Sequence, residues 1–279
     1  VLDDRTPTLL PVPTTVVNGQ IQAIAGVDPR TYTPYGSNWG TDSVLNKDNT
    51  RTNTNVNDGL TVRNSALGGE LAYNLGGGFK LEDKARFSAI SGRFTGIFPY
   101  DGAVQGTYTI ASGPNKGQTW TGLATKAAMF NTSIDDMGSF SNDLKLTKSL
   151  AMDGQTRVDL TGGLFFNKQR VSLTWNFNQY LMQIVNSNPA LVGNTKYPTG
   201  LVGLSSPDWG NCCQRAIDVD YTTVSPYAAV AYESGPWNID VSLRNDRQSA
   251  SGSIASAGAG TYTAAKTYKV DYSLNRTSF

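Results

Sequence analysis

The chain has 279 residues with 23 basic and 22 acidic side chains, so its formal net charge is +1. A nearly neutral chain has no field that favours nucleic acid, and we predict no nucleic-acid partner. Charged residues make up only 16% of the sequence, below the roughly 25% that is typical of soluble domains. Histidine is absent, which excludes histidine-based general-base catalysis and histidine metal sites.

The sequence contains no nucleophile elbow, phosphate-binding loop or cluster of metal ligands. We therefore predict that the protein is not an enzyme and that it has neither a cofactor nor a metal. No run of residues approaches the roughly 18 apolar positions of a membrane helix. Low charge with many Gly, Ser, Thr and Asn residues instead favours a sheet with one face in lipid and one face lining a wet interior.

Apolar and polar residues alternate along pairs of segments that are joined by tight turns. The clearest pair is 67–75 and 79–87, joined by three glycines at 76–78, which supply the positive backbone angles that a tight turn requires. Two further pairs surround turns at 151–155 and 233–236. The pattern predicts about eight antiparallel strands in meander order, at 1–11, 59–75, 79–98, 133–150, 156–185, 216–234, 237–254 and 264–279.

The apolar positions of the segment 156–185 change phase near Gln169. A change of phase inside a continuing strand is what a β-bulge produces, so we predict a bulge there. In the last segment the apolar residues occupy even positions from Tyr268 to Leu274, whereas Phe279 is odd. This mismatch favours a chain that is cut within a longer barrel over one that ends naturally.

The links between the hairpins are long and rich in Gly, Asn, Thr and Pro. We predict long outer loops at 12–58, 95–132, 186–215 and 253–262. Tight turns at one edge and long loops at the other are the layout of outer-membrane barrels. We therefore predict that residues 1–279 form part of one transmembrane β-barrel domain, all-β in class.

The alternation also predicts which residues share a face. The apolar set that we expect to face lipid is Leu71, Tyr73, Leu81, Phe87, Leu146, Leu160, Val230, Ile239 and Leu243. The charged set that we expect to face the interior is Glu70, Lys84, Arg86, Lys145, Asp240 and Arg244. Charge that faces the bilayer midplane costs about 2–4 kcal/mol for Lys or Arg, which is why the two sets are assigned in this way.

The segment 226–246 resembles a barrel hairpin of TonB-dependent outer-membrane receptors. Its first strand ends near Glu233, turns through Ser-Gly-Pro, and returns as a strand that ends in Arg-Asn-Asp. The segment 81–87, Leu-Glu-Asp-Lys-Ala-Arg-Phe, is similar to another hairpin of that family. Similar hairpins cover 60–100, 135–185 and 215–279.

The resemblance implies a receptor in the Gram-negative outer membrane that takes up a scarce ligand actively. The ligand classes are iron-siderophores, cobalamin and oligosaccharides. The resemblance implies outer-membrane lipid as one partner. It also implies a plug domain and TonB, both of which would act through sequence that is missing from this chain. Receptors of this family have barrels of about 22 strands, so we expect an internal barrel fragment whose first and last strands are unpaired edges. The alternatives are a complete eight-stranded pore or adhesin and a secreted β-sandwich binding module.

Aromatic residues of the predicted outer loops are the candidate ligand contacts. Tyr100, Tyr108, Trp120 and Phe130 lie in one loop and Trp209 in another, where aromatic rings can stack on a sugar or an aromatic siderophore. The alternative for the first loop is that its rings pack on one another.

Three groups of polar residues have both a functional and a structural interpretation. Adjacent Cys212 and Cys213 form either a disulfide that stiffens a ligand-gripping loop or two thiols. Asp42, Asp48 and Asp58 either bind calcium through their carboxylate oxygens or belong to a solvated loop. The pair Asp135-Asp136 is a candidate for acid-base work, against a solubilising role at the mouth of a strand.

Overall fold

The computed structural model describes residues 1–6, 8 and 11–279, and in these residues the chain is all-β with antiparallel pairing. The strands are β1 (Leu2–Thr6), β2 (Thr14–Val17), β3 (Gln20–Ala23), β4 (Thr41–Leu45), β5 (Arg51–Asn55), β6 (Leu60–Gly76), β7 (Phe79–Pro99), β8 (Val104–Ile110), β9 (Thr119–Asp136), β10 (Ser139–Ala151), β11 (Thr156–Gln183), β12 (Val192–Gly193), β13 (Leu201–Gly203), β14 (Arg215–Ser234), β15 (Trp237–Ser256) and β16 (Thr267–Ser278). Short 3-10 turns occupy Val56–Asp58, Pro207–Trp209, Gly258–Gly260 and Ala264–Lys266. None of the helices in this part of the chain is long and apolar enough to cross a membrane.

The main sheet contains an eight-strand meander, as the sequence predicts. Strand β7 pairs with β10 near its tight turn and with β9 farther along, and β11 does the same from the other side. Strands β9 and β10 therefore act as one long strand that is interrupted at 137–138. The order across the meander is β1, β6, β7, β9 with β10, β11, β14, β15 and β16.

The predicted turns are confirmed and the predicted loops are partly wrong. Tight turns join β6 to β7, β10 to β11 and β14 to β15 at the predicted positions. The predicted loop 95–132 instead contains the end of β7, all of β8 and most of β9. The predicted loop 12–58 contains two hairpins, β2–β3 and β4–β5. Of the predicted first strand 1–11, residues 2–6 are strand, and residues 7, 9 and 10 lie outside the described part of the chain.

Residues that lie directly opposite each other on neighbouring strands point to the same face of the sheet. We call the side that carries Glu82 and its partner Lys145 face A, and the side that carries Leu81 and its partner Leu146 face B. The strand registers place all of the predicted charged set on face A and all of the predicted apolar set on face B. In the apolar set, Leu81 is half-buried and the other members are exposed, so the set does not form a closed core.

The two faces exchange character at one level of the sheet. On β7, face A carries Lys80, Glu82, Lys84 and Arg86 and then changes to Ile90, Phe94 and Phe98. On β11, face B carries Val158, Leu160, Leu164 and Phe166 and then changes to Lys168, Arg170, Ser172 and Thr174. The same change occurs on β14, where face B passes from Val224 to Thr222, Asp220 and Asp218.

The predicted bulge near Gln169 is therefore wrong. Strand β11 pairs with β14 from Thr156↔Ser234 to Trp175↔Arg215 without a shift of register. The apolar residues change phase because they move to the opposite face, while the backbone of β11 continues regularly. The register shift at this level lies in β9, where Ser172 pairs with Asp136 and Leu173 pairs with Ile134.

We call the apolar half of face B, between the tight turns and the exchange level, the apolar band. It spans 67–75 on β6, 79–89 on β7, 140–150 on β10, 158–166 on β11, 224–232 on β14 and 237–243 on β15. Asp83 and Lys148 interrupt it. The Asp83 carboxylate accepts a hydrogen bond of 2.6 Å from the Asn142 amide on the neighbouring strand, and Lys148 Nζ reaches the tight turn, where it donates to the backbone oxygen of Gly77. Each charge therefore has a polar partner.

The exchange of faces also accounts for the phase of the last strand. Strand β16 pairs with the part of β15 that lies beyond the apolar band, Arg244–Ala255. There the even residues from Tyr268 to Leu274 lie on face A, which is the apolar side at that level. Phe279 directly follows Ser278, which pairs with Arg244 next to the apolar band, where the faces exchange.

Beyond the apolar band, face B is covered by residues 39–58, which we call the cover segment. Trp39 and Val56 pack with Ile97, Met129 and Met182 in a buried apolar cluster. Beside it, the buried Asp42 carboxylate accepts hydrogen bonds from the Asn131 amide at 2.8 Å, the Asn178 amide at 2.8 Å and the Tyr180 hydroxyl at 2.6 Å. These donors come from β9 and β11, so Asp42 fixes the cover segment to both strands.

The described residues do not close the sheet into a barrel. Strand β1 pairs with β6 at Leu60–Asn64, and β16 pairs with β15 at Arg244–Ala255. Within the described part of the chain no ladder joins β1 to β16. The backbone of β6 beyond Asn64 and the first residues of β15 are consequently free edges within the apolar band.

Replacing Asp42 by Ala removes the acceptor from three buried donors. We expect a loss of about 3 kcal/mol of unfolding free energy, because buried donors without partners retain their full desolvation cost. Asp48→Ala is the matched control, since Asp48 lies in an exposed turn and accepts from Thr50 alone; its loss should stay below about 1 kcal/mol. Urea unfolding and amide hydrogen exchange in 41–55 measure both effects. Equal losses in the two variants would contradict the anchoring role of Asp42.

Candidate functional site

Seven aromatic side chains form a connected group beyond the apolar band, mainly on face A. We call this group the aromatic row; it consists of Phe94, Phe98, Tyr100, Phe130, Trp175, Phe177 and Trp209. The ring centroids of Phe130 lie 4.4 Å from Phe98 and 4.7 Å from Phe177. Phe177 is buried, whereas the other six rings are half-buried and leave part of their surface to solvent.

The row draws on three strands and one loop. Alternation on β7, β9 and β11 brings Phe98, Phe130 and Phe177 to face A at neighbouring positions. Trp209 joins the row from the loop between β13 and β14, with its ring centroid 5.1 Å from that of Tyr100. At the other end, the Arg215 guanidinium lies 5.7 Å from the centroid of Trp175, within the range of a cation–π contact.

The loop that carries Trp209 is tied to the end of β11. The Ser206 hydroxyl donates to the backbone oxygen of Phe177 at 2.8 Å, and the backbone N–H of Asp208 donates to Gln179 Oε1 at 3.0 Å. The Gln214 amide donates to Asn176 Oδ1 at 2.7 Å. Beyond residue 175, β11 has no pairing with β14, so these bonds hold the loop where the β14 ladder ends.

A polar cluster borders the aromatic row at Trp209. Asp208 Oδ2 accepts from Lys126 Nζ at 2.8 Å and from the Tyr100 hydroxyl at 2.8 Å. Asp101 lies 3.4 Å from the same Lys126 Nζ. The hydrogen bond from Lys126 lowers the pKa of Asp208, and the bond to Asp208 in turn raises the pKa of Lys126. Burial, with the bond to Asp208, raises the pKa of Tyr100.

The aromatic row thus lies beside one cation, Lys126, and two carboxylates, Asp101 and Asp208. Such a surface can bind a ligand by stacking and by hydrogen bonds at its rim. It contains no nucleophile with an adjacent base. Within the described residues no group of three acidic or cysteine side chains is placed to hold a metal ion.

The structure brings together three of the five aromatic residues that are candidate ligand contacts, Tyr100, Phe130 and Trp209. Tyr100 and Trp209 are neighbours in the aromatic row. Tyr108 and Trp120 instead face each other across the β8–β9 hairpin, with centroids 5.9 Å apart. They pack with the buried residues Ala124, Leu181 and Val192, and the Tyr108 hydroxyl donates to Val104 O. Tyr108 and Trp120 are therefore placed as a packing pair, as in the self-packing alternative.

The remaining sequence candidates occupy separate places. Cys212 and Cys213 are joined by a disulfide in the Trp209 loop. Asp42 is buried, Asp48 accepts from Thr50, and Asp58 pairs with Arg5. The three carboxylates therefore have separate partners, and the solvated role predicted for Asp42 is wrong.

The pair Asp135-Asp136 has structural contacts. Asp135 lies 3.6 Å from Lys47 Nζ and accepts from Ser133 at 2.7 Å. Asp136 accepts from the backbone N–H of Gly138 at 2.7 Å, where β9 gives way to β10. Asp136 therefore stabilises the junction of these strands, whereas Asp135 pairs with a lysine of the cover segment.

Sequence reasoning missed four members of the site on β7 and β11: Phe94, Phe98, Trp175 and Phe177. For Trp175 and Phe177 the signal is the change of apolar phase near Gln169, which we interpret from the sequence as a bulge. For Phe94 and Phe98 it is the same change of apolar phase along β7. It also missed Lys126 and Asp208, which lie 82 positions apart and meet only in the fold.

No model of a known protein family matches the chain. A search of curated proteins likewise finds no match.

The polar cluster makes the position of Trp209 sensitive to acid. Because the pKa of Asp208 is lowered from its usual value of 3.8, its bonds stabilise the loop above about that pH and are lost as pH falls through the lowered pKa. The fluorescence difference between the wild type and Trp209→Phe should stay constant above about pH 5 and change below about pH 4. In Asp208→Asn the acid transition should be absent. An unchanged transition in that variant would contradict the assignment.

Proposed function

We propose that this chain is a section of the barrel wall of a TonB-dependent receptor in the Gram-negative outer membrane. In this proposal the apolar band of face B contacts lipid, and face A lines the interior. The aromatic row lies beyond the membrane and contacts the transported ligand. The proposal draws on the hairpin resemblance for the family, and on the structure for the placement of the residues.

The length of the apolar band is the observation that carries the membrane assignment. On four strands the band spans 67–75, 79–89, 140–150 and 158–166, which is close to the roughly 9–11 residues that a tilted strand needs to cross a bilayer. Its large apolar side chains are exposed, for example Leu71 at 55% and Val241 at 64%. Exposed apolar surface of this extent on several adjacent strands marks an interaction surface.

Face A of the same strands carries charges that are largely paired. Lys84 lies 2.8 Å from Glu70, and Lys145 lies 2.9 Å from Glu82. Such pairs suit a surface in contact with water or with a plug domain, and they would be costly in lipid. The contrast between the two faces supports a wall with lipid on side B.

The free edges support a wall wider than this sheet. In a bilayer each unsatisfied backbone group costs several kcal/mol, and β6 beyond Asn64 presents such an edge within the apolar band. We propose that further strands pair there and that a plug domain fills the interior. Energy relayed by TonB would then move the plug, as in the family.

The aromatic row supports a ligand with flat apolar or aromatic parts. Iron-siderophores, cobalamin and oligosaccharides all fit this description, and Lys126 with Asp208 adds a polar rim. The second candidate, a complete eight-stranded pore, requires a β1–β16 ladder that is absent from the described residues. A soluble β-sandwich requires the apolar set to meet in a core, and these side chains are exposed instead.

The membrane assignment predicts opposite results for two neighbouring residues of β11. Leu160 lies on face B opposite Val230, and Thr161 lies on face A opposite Ala229. Leu160→Arg should reduce the inserted fraction by the equivalent of about 2–4 kcal/mol, because it places a cation in lipid. Thr161→Arg is the matched control and should insert nearly as the wild type does. Because the free edges of this chain are costly in lipid, both variants are measured in the complete barrel that the proposal implies, by the fraction assembled in the outer membrane. Equal assembly of the two variants would refute the proposal.

The ligand assignment predicts that Trp209 senses binding. Ferric siderophores, cobalamin and oligosaccharides are added one at a time. We expect one of these ligand classes to change the tryptophan fluorescence of the wild type and to leave the fluorescence of the Trp209→Phe variant unchanged. Loss of the Tyr100 ring in Tyr100→Ala should weaken this binding by about tenfold, since one stacking contact contributes about 0.5–1.5 kcal/mol. Tyr108→Ala is the control and should bind normally. A response that persists without Trp209 would contradict this assignment.

A further inference from the structure

Two adjoining clefts open on face B immediately beyond the apolar band. The first has a volume of 370 Å³ and lies across β7, β10, β11 and β14, with Phe87, Phe140 and Lys168 in its lining. The second has a volume of 560 Å³ and lies across β14, β15 and β16, with Thr222 and Arg247 in its lining. Lys168 and Thr222 are direct partners on β11 and β14, so the clefts meet there. We call them together the boundary groove.

The second cleft is suited to an anion. Its polar lining consists of Arg247 with hydroxyl and amide side chains, among them Thr222, Ser273 and Asn275, and it includes no carboxylate. Among the described residues no carboxylate lies within 4.0 Å of Arg247, whose Nε donates to Asn245 Oδ1 at 3.4 Å. The charge of Arg247 therefore faces the cleft without a balancing partner.

The first cleft adds a second cation. Lys168 Nζ has only a distant acidic partner, Asp220 at 3.9 Å. Arg170 is held by Asp218 at 3.0 Å, and Asp136 by the backbone N–H of Gly138. Lys168 and Arg247 are thus the two cations of the groove that are least engaged by carboxylates.

The floor of the groove is continuous with the apolar band. Phe87 and Phe140, both exposed, line the first cleft, and Val224 lines the second. A ligand that matches this surface carries negative charge at one end and apolar chains at the other. A free anion would match only the polar and basic part of the groove and would leave its apolar floor uncovered.

We propose that the boundary groove holds the phosphate headgroup of a lipid, with Lys168 and Arg247 at the phosphate and the acyl chains along the apolar band. This inference rests on the proposed membrane function, because that function places the groove at the level of the headgroups. Basic pockets at that level attract anionic lipid, and long basic side chains reach from apolar surface to the polar interface.

The test compares lipid retention by the full chain in detergent micelles. Native mass spectrometry would measure the ratio of bound phosphatidic acid to bound phosphatidylcholine from an equal mixture. Lys168→Gln and Arg247→Gln should each lower that ratio about fivefold. Lys269→Gln is the matched control. It removes a cation from the same face, at a position about 20 Å farther along the sheet, and should leave the ratio unchanged.

The outcomes separate this inference from the proposed function. An unchanged ratio in the Lys168→Gln/Arg247→Gln double variant, or an equal decrease in Lys269→Gln, would overturn the headgroup site. Displacement of the lipid by inorganic phosphate at equal concentration would overturn it as well, because it would assign the groove to free phosphate. Assembly of Leu160→Arg and Thr161→Arg in the complete barrel is a separate measurement. Equal assembly of the two variants overturns the membrane function, whereas a difference between them without lipid preference overturns only the headgroup site.

Discussion

The unbroken pairing of β11 with β14 is the constraint on which the rest of the structure depends. A strand without a bulge cannot rotate its side chains from one face to the other, because successive residues alternate strictly. From Thr156 to Trp175 the register is constant, so the change of apolar phase near Gln169 is a change of surroundings. One half of the sheet has apolar residues on face B, and the other half has them on face A.

This exchange explains where the remaining parts of the chain pack. Beyond the apolar band, face B offers amides and hydroxyls, and the cover segment meets them with the Asp42 carboxylate. Face A offers aromatic rings at the same level, and the loop after β13 adds Trp209 to them. The apolar band itself is covered by no other part of the described chain, and its large side chains remain exposed.

Much of the sheet could be predicted from the sequence because its signals are local. The glycines at 76–78 and the alternation on either side determine a hairpin within about twenty residues. The cover segment could not be predicted, since Asp42 meets Asn131 and Tyr180 only after strands 89 and 138 positions away have assembled. The site was predicted in part. Tyr100, Phe130 and Trp209 can be found as aromatic residues of predicted loops. The bulge predicted near Gln169 would instead turn Trp175 and Phe177 to face B, whereas the structure places them on face A.

The sheet has two halves whose apolar residues lie on opposite faces, and the proposed function places lipid against the apolar band of face B. Spin labels placed singly along β11 from 158 to 178, in the complete barrel reconstituted in vesicles, test this placement most directly through their accessibility to oxygen and to a polar nickel chelate. We expect high oxygen accessibility at even positions from 158 to 166, and its loss at even positions from 172 to 178, where the cover segment lies. Alternation that continues with the same phase and the same lipid contact through 178 would contradict the account.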